Sequence, residues 1–238
     1  MEINLKGQIK MKNKVIGIEG LVGSGKTSIC KELIKIIPNS ILLHGGNLYR
    51  GIVLALMENS KNINMNNLKD NIENIDIKEL MDKLKVDFRI ENQESVVYVN
   101  NKKVDDDDLQ TQNASLAVSI AGKNADNAHF YMFARNLIDG FKQKYNVIVS
   151  GRDLMQIYPN LDYHFFIKAS LDERVRRKLI QYNDNASRKE VEENIIKRDK
   201  LQEASGYYRI YENTIEVDVT NCKDISESTN EVLKHIKL

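Results

Sequence analysis

The sequence is poor in cysteine, has no excess of either charge and lacks a long apolar run. Its two cysteines, Cys30 and Cys222, show no CxxC or Cys/His spacing, which argues against a disulfide framework and a structural zinc site. Lysine and arginine total 35 against 34 acidic residues, so the net charge of +1 gives no general reason to bind nucleic acid or an anionic membrane. The longest uncharged apolar stretch, around Gly51 to Met57, is far shorter than a membrane span.

What remains is an ordinary globular composition. Hydrophobic residues make up 42% of the 238 positions and charged residues 29%, which is enough to bury a core. This length predicts a single domain, residues 1–238, with room for a sizeable insert. Residues 1–14 are polar and lysine-rich and lack the apolar core of a signal peptide. We therefore expect a cytoplasmic monomer that binds neither nucleic acid nor a membrane.

Strand and helix patterns alternate along most of the chain. A β-branched run at Val15–Ile18 precedes a helical pattern from Ser24, which Pro38 ends, and a strand pattern at Ser40–Leu43 precedes a helix at Leu48–Met57. Later strand patterns lie at 146–150, 163–167 and 214–219. Such alternation predicts an α/β fold with a parallel sheet of about five strands between helices, joined by right-handed crossovers.

Residues 60–108 interrupt this alternation and are rich in Asn, Lys and Asp. Two runs within them, Val86–Ile90 and Ser95–Val99, have strand character, and Asn100–Lys102 is a turn sequence expected to close a hairpin. We interpret this region as an insert on the α/β core.

A glycine-rich motif follows the first predicted strand. It matches G-x-x-x-x-G-K-[ST] and consists of Gly20, Leu21, Val22, Gly23, Ser24, Gly25, Lys26 and Thr27. Its glycines let backbone N–H groups curl around a phosphate chain, and the next helix adds the positive end of its dipole. In this pattern the lysine reaches the β- and γ-phosphates and the threonine hydroxyl ligates Mg²⁺. The motif does not by itself choose among kinase, ATPase and motor, but the guanine signature N-K-x-D of GTPases is absent from the sequence.

Arginine is concentrated in one part of this lysine-rich chain. The sequence has ten arginines against 25 lysines, and six of the ten lie between Arg174 and Arg209. Arginine is favoured over lysine where planar, bidentate contact to phosphate is needed. Salt bridges with Asp172 or Glu173 are the alternative explanation. An arginine-rich lid over a phosphate loop suits phosphoryl transfer, in which the protein mainly positions and neutralises charge.

Several segments together resemble bacterial cytidylate kinases. Besides the phosphate loop, they are Leu42–Arg50, Val147–Asp153, Phe165–Arg177 and Ile195–Asp199. They occur in that family's order with similar spacing and cover most of the chain. The strand followed by Gly-Arg-Asp is more specific than the phosphate loop. The resemblance implies a P-loop NTPase three-layer fold, with residues 60–108 as the acceptor-site insert and 171–190 as a short helical lid.

The same resemblance implies transfer of the γ-phosphoryl group of ATP, with Mg²⁺, to CMP or dCMP. It places Arg50 and Arg152 at the acceptor phosphate and Asp153 at the base. Arg198 would bridge the donor and acceptor phosphates. Arg174 and Arg177 would belong to the lid over ATP. The predicted catalytic residues are Lys26, Arg152 and Arg198.

The acceptor side of the sequence departs from the family pattern. The family's D-[ST]-G turn is replaced by His44-Gly45-Gly46, and an arginine before a threonine is replaced by Gln110. Gln202 and Ser205 replace later members of an R-D-x-x-D-x-x-R pattern. A kinase of the same fold with another acceptor, or an inactive nucleotide-binding protein, therefore remains an alternative.

The remaining acceptor-side candidates each have a second interpretation. His44, Gly46, Tyr49 and Gln110 complete the predicted acceptor site. His44 could instead be structural, and Tyr49 could simply pack. Phe130, Tyr131 and Phe133, in a predicted helix, could form a platform for the base, but we expect them to pack in the core.

Overall fold

The computed structural model describes residues 2–3, 9–10, 13–59, 79, 83, 85–105, 109, 128–182 and 186–237. Two short strands near the start, β1 Glu2–Ile3 and β2 Ile9–Lys10, pair with each other. The later elements, in chain order, are β3 Val15–Gly20, α1 Lys26–Ile36, β4 Ser40–His44, α2 Gly45–Asn59, β5 Asp87–Glu91, β6 Glu94–Val99, β7 Lys102–Lys103, α3 Ala128–Lys142, β8 Asn146–Ser150, α4 Leu154–Ile157, β9 Tyr163–Lys168, α5 Leu171–Gln181, α6 Arg188–Ala204, β10 Thr214–Asp218 and α7 Ile225–Leu233.

A parallel sheet in the order β10-β9-β3-β8-β4 forms the centre of the fold. This confirms the predicted α/β fold and its five parallel strands. Because every strand points the same way, the strand ends at Gly20, His44 and Ser150 lie along one edge of the sheet. Ligands of open parallel sheets bind at this carboxyl edge.

Both faces of the sheet are covered, which makes the fold three-layered. Val15 and Val147 belong to the core beneath α3, while the next residues in each strand, Ile16 and Ile148, belong to the core beneath α1 and α7. All six residues of β3 are buried. Continuous apolar strands are expected where helices pack on both faces of a sheet.

The predicted insert joins the main sheet instead of standing apart from it. Strand β6 pairs in parallel with β4 at Leu42 and Glu94, and β5 and β7 pair with β6 on either side. The sheet therefore has eight strands in the described part of the chain, more than the sequence predicts. Residues 60–78 of the predicted insert lie outside the described residues.

Two tight turns connect these added strands, where the sequence predicts one. Asn100 and Asn101 form a turn as predicted, with φ of 50° and 63°, but it joins β6 to β7. The hairpin between β5 and β6 turns instead at Asn92 and Gln93, with φ of 49° and 66°. Glutamine is an unusual residue in this conformation. Its side chain compensates, because its Nε2 donates to the carbonyl oxygens of both Ile34 and Ser40, each at 3.1 Å.

No helix that the structure describes is long and apolar enough to span a membrane. Helix α2 begins at Gly45, directly after β4, and so starts three residues before the prediction. Helix α1 ends at Ile36, two residues before Pro38, as the sequence predicts.

A buried polar chain ties together three strands and the Gly-Arg-Asp segment. Glu19, 1% exposed, accepts a hydrogen bond from the backbone N–H of Leu154 at 2.8 Å through Oε1. Its Oε2 lies 2.9 Å from Nε2 of His164, whose Nδ1 lies 2.9 Å from the hydroxyl of Thr214. Since Glu19 directly precedes the phosphate loop, the chain fixes that loop relative to the segment that carries Arg152.

We expect Glu19→Ala to lower the free energy of unfolding by about 3 kcal/mol, because the N–H of Leu154 and the ring of His164 would lose their buried partner. Urea denaturation followed by circular dichroism measures this change. Glu216→Ala is the matched control, since Glu216 is 42% exposed and pairs with Lys168 at the surface. Equal effects of the two substitutions would contradict the assignment.

Candidate active site

The phosphate loop is built on glycines that no other residue could replace without strain. At Gly20, where φ is +145°, a Cβ would lie 2.1 Å from the carbonyl oxygen of Ile167 in β9. At Gly25, the N-cap of α1, φ is +96°. The first of these glycines lets the loop approach β9, and the second turns the chain into α1.

Lys26 lies at the first turn of α1 with its ammonium group over the loop. Its Nζ donates to the carbonyl oxygens of Gly20 at 2.9 Å and Leu21 at 2.8 Å. Burial lowers the pKa of Lys26 well below its usual value, and Arg152 and Arg198 lower it further. The lysine is therefore close enough to both arginines to be repelled by them.

Two hydroxyl-bearing residues of the loop differ in their exposure. Thr27 is exposed at the start of α1. The hydroxyl of Ser24 is buried and has no hydrogen-bond partner among the described residues. A buried hydroxyl without a partner is costly unless a ligand or water completes it.

Two of the predicted lid arginines contact the backbone of the phosphate loop. Arg174 is 7% exposed, donates to the carbonyl oxygen of Val22 at 3.2 Å and forms an ion pair with Asp199. Arg177 donates to the carbonyl oxygens of Ser24 at 2.9 Å and Val219 at 2.8 Å. Both guanidinium groups therefore hold the backbone of the phosphate loop.

Helix α5, which carries both arginines, packs directly against the loop. Val175 of α5 and Val22 of the loop share a small core with Val191 and Ile195 of α6. This packing brings α5 and α6 against the loop backbone. The predicted lid, residues 171–190, thus corresponds to α5 and the beginning of α6.

Asp199 is the acceptor that joins loop, α5 and α6. Its Oδ1 accepts from the backbone N–H of Val22 at 3.2 Å and from the hydroxyl of Tyr208 at 2.6 Å. It directly follows Arg198, so the same contacts also position that arginine. The sequence pointed to Asp199 only through its place in the Arg-Asp pair.

Four cationic side chains from separate elements, which together we call the cation cluster, converge beside the loop. Arg50 comes from α2, Arg152 follows β8, Arg198 comes from α6, and Lys26 comes from α1. Burial lowers the pKa of Arg50 the most, followed by the charges of Arg198 and Arg152. Burial also lowers the pKa of Arg152, with Arg198 contributing, while nearby Tyr208 and Glu19 act in the opposite direction. The described structure therefore brings together the arginines that the sequence singled out.

The orientation of Arg152 is set by two hydrogen bonds. Its Nε donates to Oε1 of Gln202 at 2.8 Å, and its Nη1 donates to the carbonyl oxygen of Gly151 at 2.9 Å. Arg152 and the adjacent Asp153 form no ion pair. Arg50 is held by Oδ1 of Asn47 at 3.2 Å.

The acceptor side contains a carboxylate among tyrosines. Asp153 accepts a hydrogen bond through Oδ2 from the hydroxyl of Tyr131 at 2.6 Å. Burial raises the pKa of Tyr49, and Tyr131, Tyr207 and Asp153 raise it further, so these side chains lie near one another. The ring of Tyr131 packs against the core as expected, but its hydroxyl reaches the site, which the sequence pattern does not reveal.

His44, at the end of β4, forms its hydrogen bonds with the neighbouring strand β6. Its Nε2 lies 2.7 Å from Oε2 of Glu94, and its backbone N–H donates to the hydroxyl of Ser95 at 2.9 Å. These contacts attach β4 to β6 and favour the structural interpretation of His44. A Cβ at Gly46 would lie 3.9 Å from Nη1 of Arg50, which places Gly46 beside the cation cluster. Gln110 lies outside the described residues.

Comparison with known proteins identifies the family of the chain. The sequence model of the family described as cytidylate kinase matches residues 16–238. The chain belongs to the cytidylate kinase family. The cytidylate kinase of Thermotoga neapolitana is 31% identical over 228 residues, which cover 93% of this chain and 94% of that protein. The cytidylate kinase of Clostridioides difficile is 30% identical over 234 residues, which cover 96% and 100%. The resemblance seen in the sequence is confirmed.

Two residues that depart from the cytidylate kinase pattern form hydrogen bonds within the protein. Gln202 accepts from Arg152, and the hydroxyl of Ser205 donates to the carbonyl oxygen of Leu201 at 2.8 Å. Neither side chain is directed to a ligand by these contacts. The polar groups that remain on the acceptor side are therefore those around Asp153.

We expect Arg174→Ala to lower the free energy of unfolding by about 3 kcal/mol, because Asp199 would lose its ion-pair partner in a largely buried position. Urea denaturation measures the loss. Arg176→Ala on the same helix is the matched control, since Arg176 is 53% exposed and pairs only with Glu173. The assignment of Arg174 to the loop would be wrong if both variants were as stable as the parent protein.

Proposed function

We propose that the protein transfers the γ-phosphoryl group of ATP to CMP or dCMP, giving ADP and CDP or dCDP. The convergence of Lys26, Arg50, Arg152 and Arg198 at the phosphate loop carries this proposal. The pKa values of Lys26, Arg50 and Arg152 are lowered, and such partly buried neighbouring cations are stabilised by a polyanionic ligand, which two nucleotide phosphate groups provide. Membership of the cytidylate kinase family supports the choice of acceptor.

In the proposed reaction the protein positions and neutralises, and it forms no covalent intermediate. Lys26 and the backbone N–H groups at the start of α1 hold the donor phosphates. Arg50 and Arg152 hold the acceptor phosphate, and Arg198 neutralises charge on the group in transfer. No strong general base is required, because the acceptor phosphate is already an anion.

Mg²⁺ is the proposed partner of ATP at this site. The residues present suit it, since the exposed hydroxyl of Thr27 stands at the end of the loop and Mg²⁺ takes most of its ligands from phosphate and water. When bound, the ion would neutralise charge on the β- and γ-phosphate oxygens. The loop and Lys26 would bind the phosphate chain of the nucleotide.

A kinase of the same fold with a different nucleoside monophosphate as acceptor is the second candidate. It is motivated by Gln202 and Ser205, which replace members of the family pattern and which form hydrogen bonds with Arg152 and Leu201. The base, not the phosphate chemistry, is the point on which the two candidates differ.

An acceptor screen separates the candidates. ADP formation from ATP and Mg²⁺ is measured with CMP, dCMP, UMP, AMP, GMP and shikimate supplied separately. We expect turnover with CMP and dCMP, and its loss when a chelator removes Mg²⁺. Turnover restricted to another acceptor would overturn the assignment to CMP, and ATP binding without turnover on any acceptor would overturn the assignment as an enzyme.

Lys26→Ala should reduce turnover to near the detection limit while the protein stays folded, since the donor phosphates would lose their cation. Coupled assays of ADP formation and circular dichroism test the two parts. Lys35→Ala in the same helix is the control, because Lys35 is exposed and pairs with Glu32. Retained activity in the Lys26 variant would refute the proposed role.

A further inference from the structure

Few polar side chains on the acceptor side are available to recognise a base. Gln202 and Ser205 are used internally, and His44 is bonded to Glu94. Asp153 is different, because it directly follows Arg152 and, among the residues that the structure describes, only its Oδ2 atom has a hydrogen-bond partner, the hydroxyl of Tyr131. The question is what fixes the remaining carboxylate oxygen.

The backbone of Asp153 is unusual in a way that points to a function. The residue has φ of 56° and ψ of 31°, a left-handed conformation that most side chains avoid and that aspartate adopts more readily than most. It stands at the N-cap of α4, where aspartate normally accepts a hydrogen bond from the helix backbone, yet its side chain makes no such bond. The carboxylate is thus turned away from its local partner, and strain of this kind is concentrated at functional sites.

Tyr131 is the residue that holds the turned carboxylate. It lies in α3, 22 residues earlier in the chain, and its ring packs against the core beneath that helix. A ring held by packing fixes the direction of its hydroxyl. A phenol that donates to a carboxylate favours the ionised form and limits its rotation.

The charge balance around Asp153 makes this hydrogen bond matter. Burial raises the pKa of Asp153, and Glu19 of β3 raises it further. The hydroxyl of Tyr131 and the charge of Arg209 act in the opposite direction. Of the other titratable groups near it, Tyr49 of α2 and Tyr207 carry no compensating positive charge.

We propose that Tyr131 is a positioning residue that keeps Asp153 ionised and directs its free Oδ1 at the exocyclic amino group of the acceptor base. The inference rests on the proposed function and on the position of Asp153 at the base, which the family resemblance implies, and its new element is the role of Tyr131. An ionised carboxylate only accepts hydrogen bonds. It therefore pairs with the 4-amino group of cytosine and repels the 4-oxo group of uracil. Tyr131 thereby sets the preference for CMP over UMP.

The test removes the hydroxyl alone. Tyr131→Phe keeps the packed ring, and kcat and KM are measured for CMP and UMP. We expect the ratio of kcat/KM for CMP to that for UMP to fall by about tenfold, mainly through a higher KM for CMP. Without the donor the pKa of Asp153 rises, so the acid side of the pH profile with CMP should move to higher pH.

A tyrosine elsewhere in the structure provides the matched control. The hydroxyl of Tyr158 donates to Oδ1 of Asp139 at 2.7 Å. This bond is of the same kind but involves none of the residues assigned to the candidate site. Tyr158→Phe should leave the CMP to UMP ratio and the pH profile unchanged. An unchanged ratio in Tyr131→Phe, or an equal loss with both acceptors in the two variants, would overturn the inference.

A second variant and a binding measurement separate this inference from the proposed function. Asp153→Asn presents an amide that can donate to the 4-oxo group of uracil, so the preference should shift towards UMP. Calorimetric titration with CMP and UMP reports base recognition without turnover. Suppose that the parent protein binds CMP in preference to UMP, that Tyr131→Phe loses this preference, and that no turnover is seen. These results would reject the proposed reaction and support the inference. Equal affinity of the parent protein for CMP and UMP would reject the inference.

Discussion

The ion pair between Arg174 and Asp199 is the contact on which the geometry of the site depends. Asp199 receives the N–H of Val22 while Arg174 donates to the carbonyl of the same residue, so both backbone groups of one loop position are held from outside the loop. A glycine-rich segment is costly to order because of its conformational freedom. Attachment to two helices confines it, and the same contacts set Arg198 next to Asp199.

The buried Glu19–His164 chain lies at the end of β3, next to the phosphate loop around which the cation cluster gathers. Glu19 ends the apolar part of β3 and reaches Leu154 beyond Arg152, so the phosphate loop and the Gly-Arg-Asp segment share an anchor. The repulsion that Arg152 and Arg198 exert on Lys26 and on Arg50 is therefore opposed by a framework that these buried contacts hold together. Rigid support of this kind keeps like charges close enough to act on one ligand.

Local patterns predicted what depends on neighbouring residues. The strand, glycine loop and helix from Val15 to Ile36 follow from periodicity and a short motif, and the parallel sheet follows from the alternation of elements. Gln93 was missed as a turn residue because its conformation is stabilised by carbonyls of Ile34 and Ser40, more than 50 residues away. The same limit applies to Arg174, whose role depends on Asp199, and to Tyr131, whose hydroxyl finds Asp153 only in the folded chain.

The hydrogen bonds from Lys26 to the carbonyls of Gly20 and Leu21 bear on affinity. Two of the three N–H donors of the Lys26 ammonium group already point to carbonyl oxygens within 3 Å, so a phosphate oxygen binds the third donor or displaces one of these contacts. Neutral phosphate mimics would therefore gain little from the lysine, whereas a doubly charged phosphate gains the difference between a charge–charge and a charge–dipole contact. The loop thereby discriminates among ligands by the charge they carry as well as by their shape.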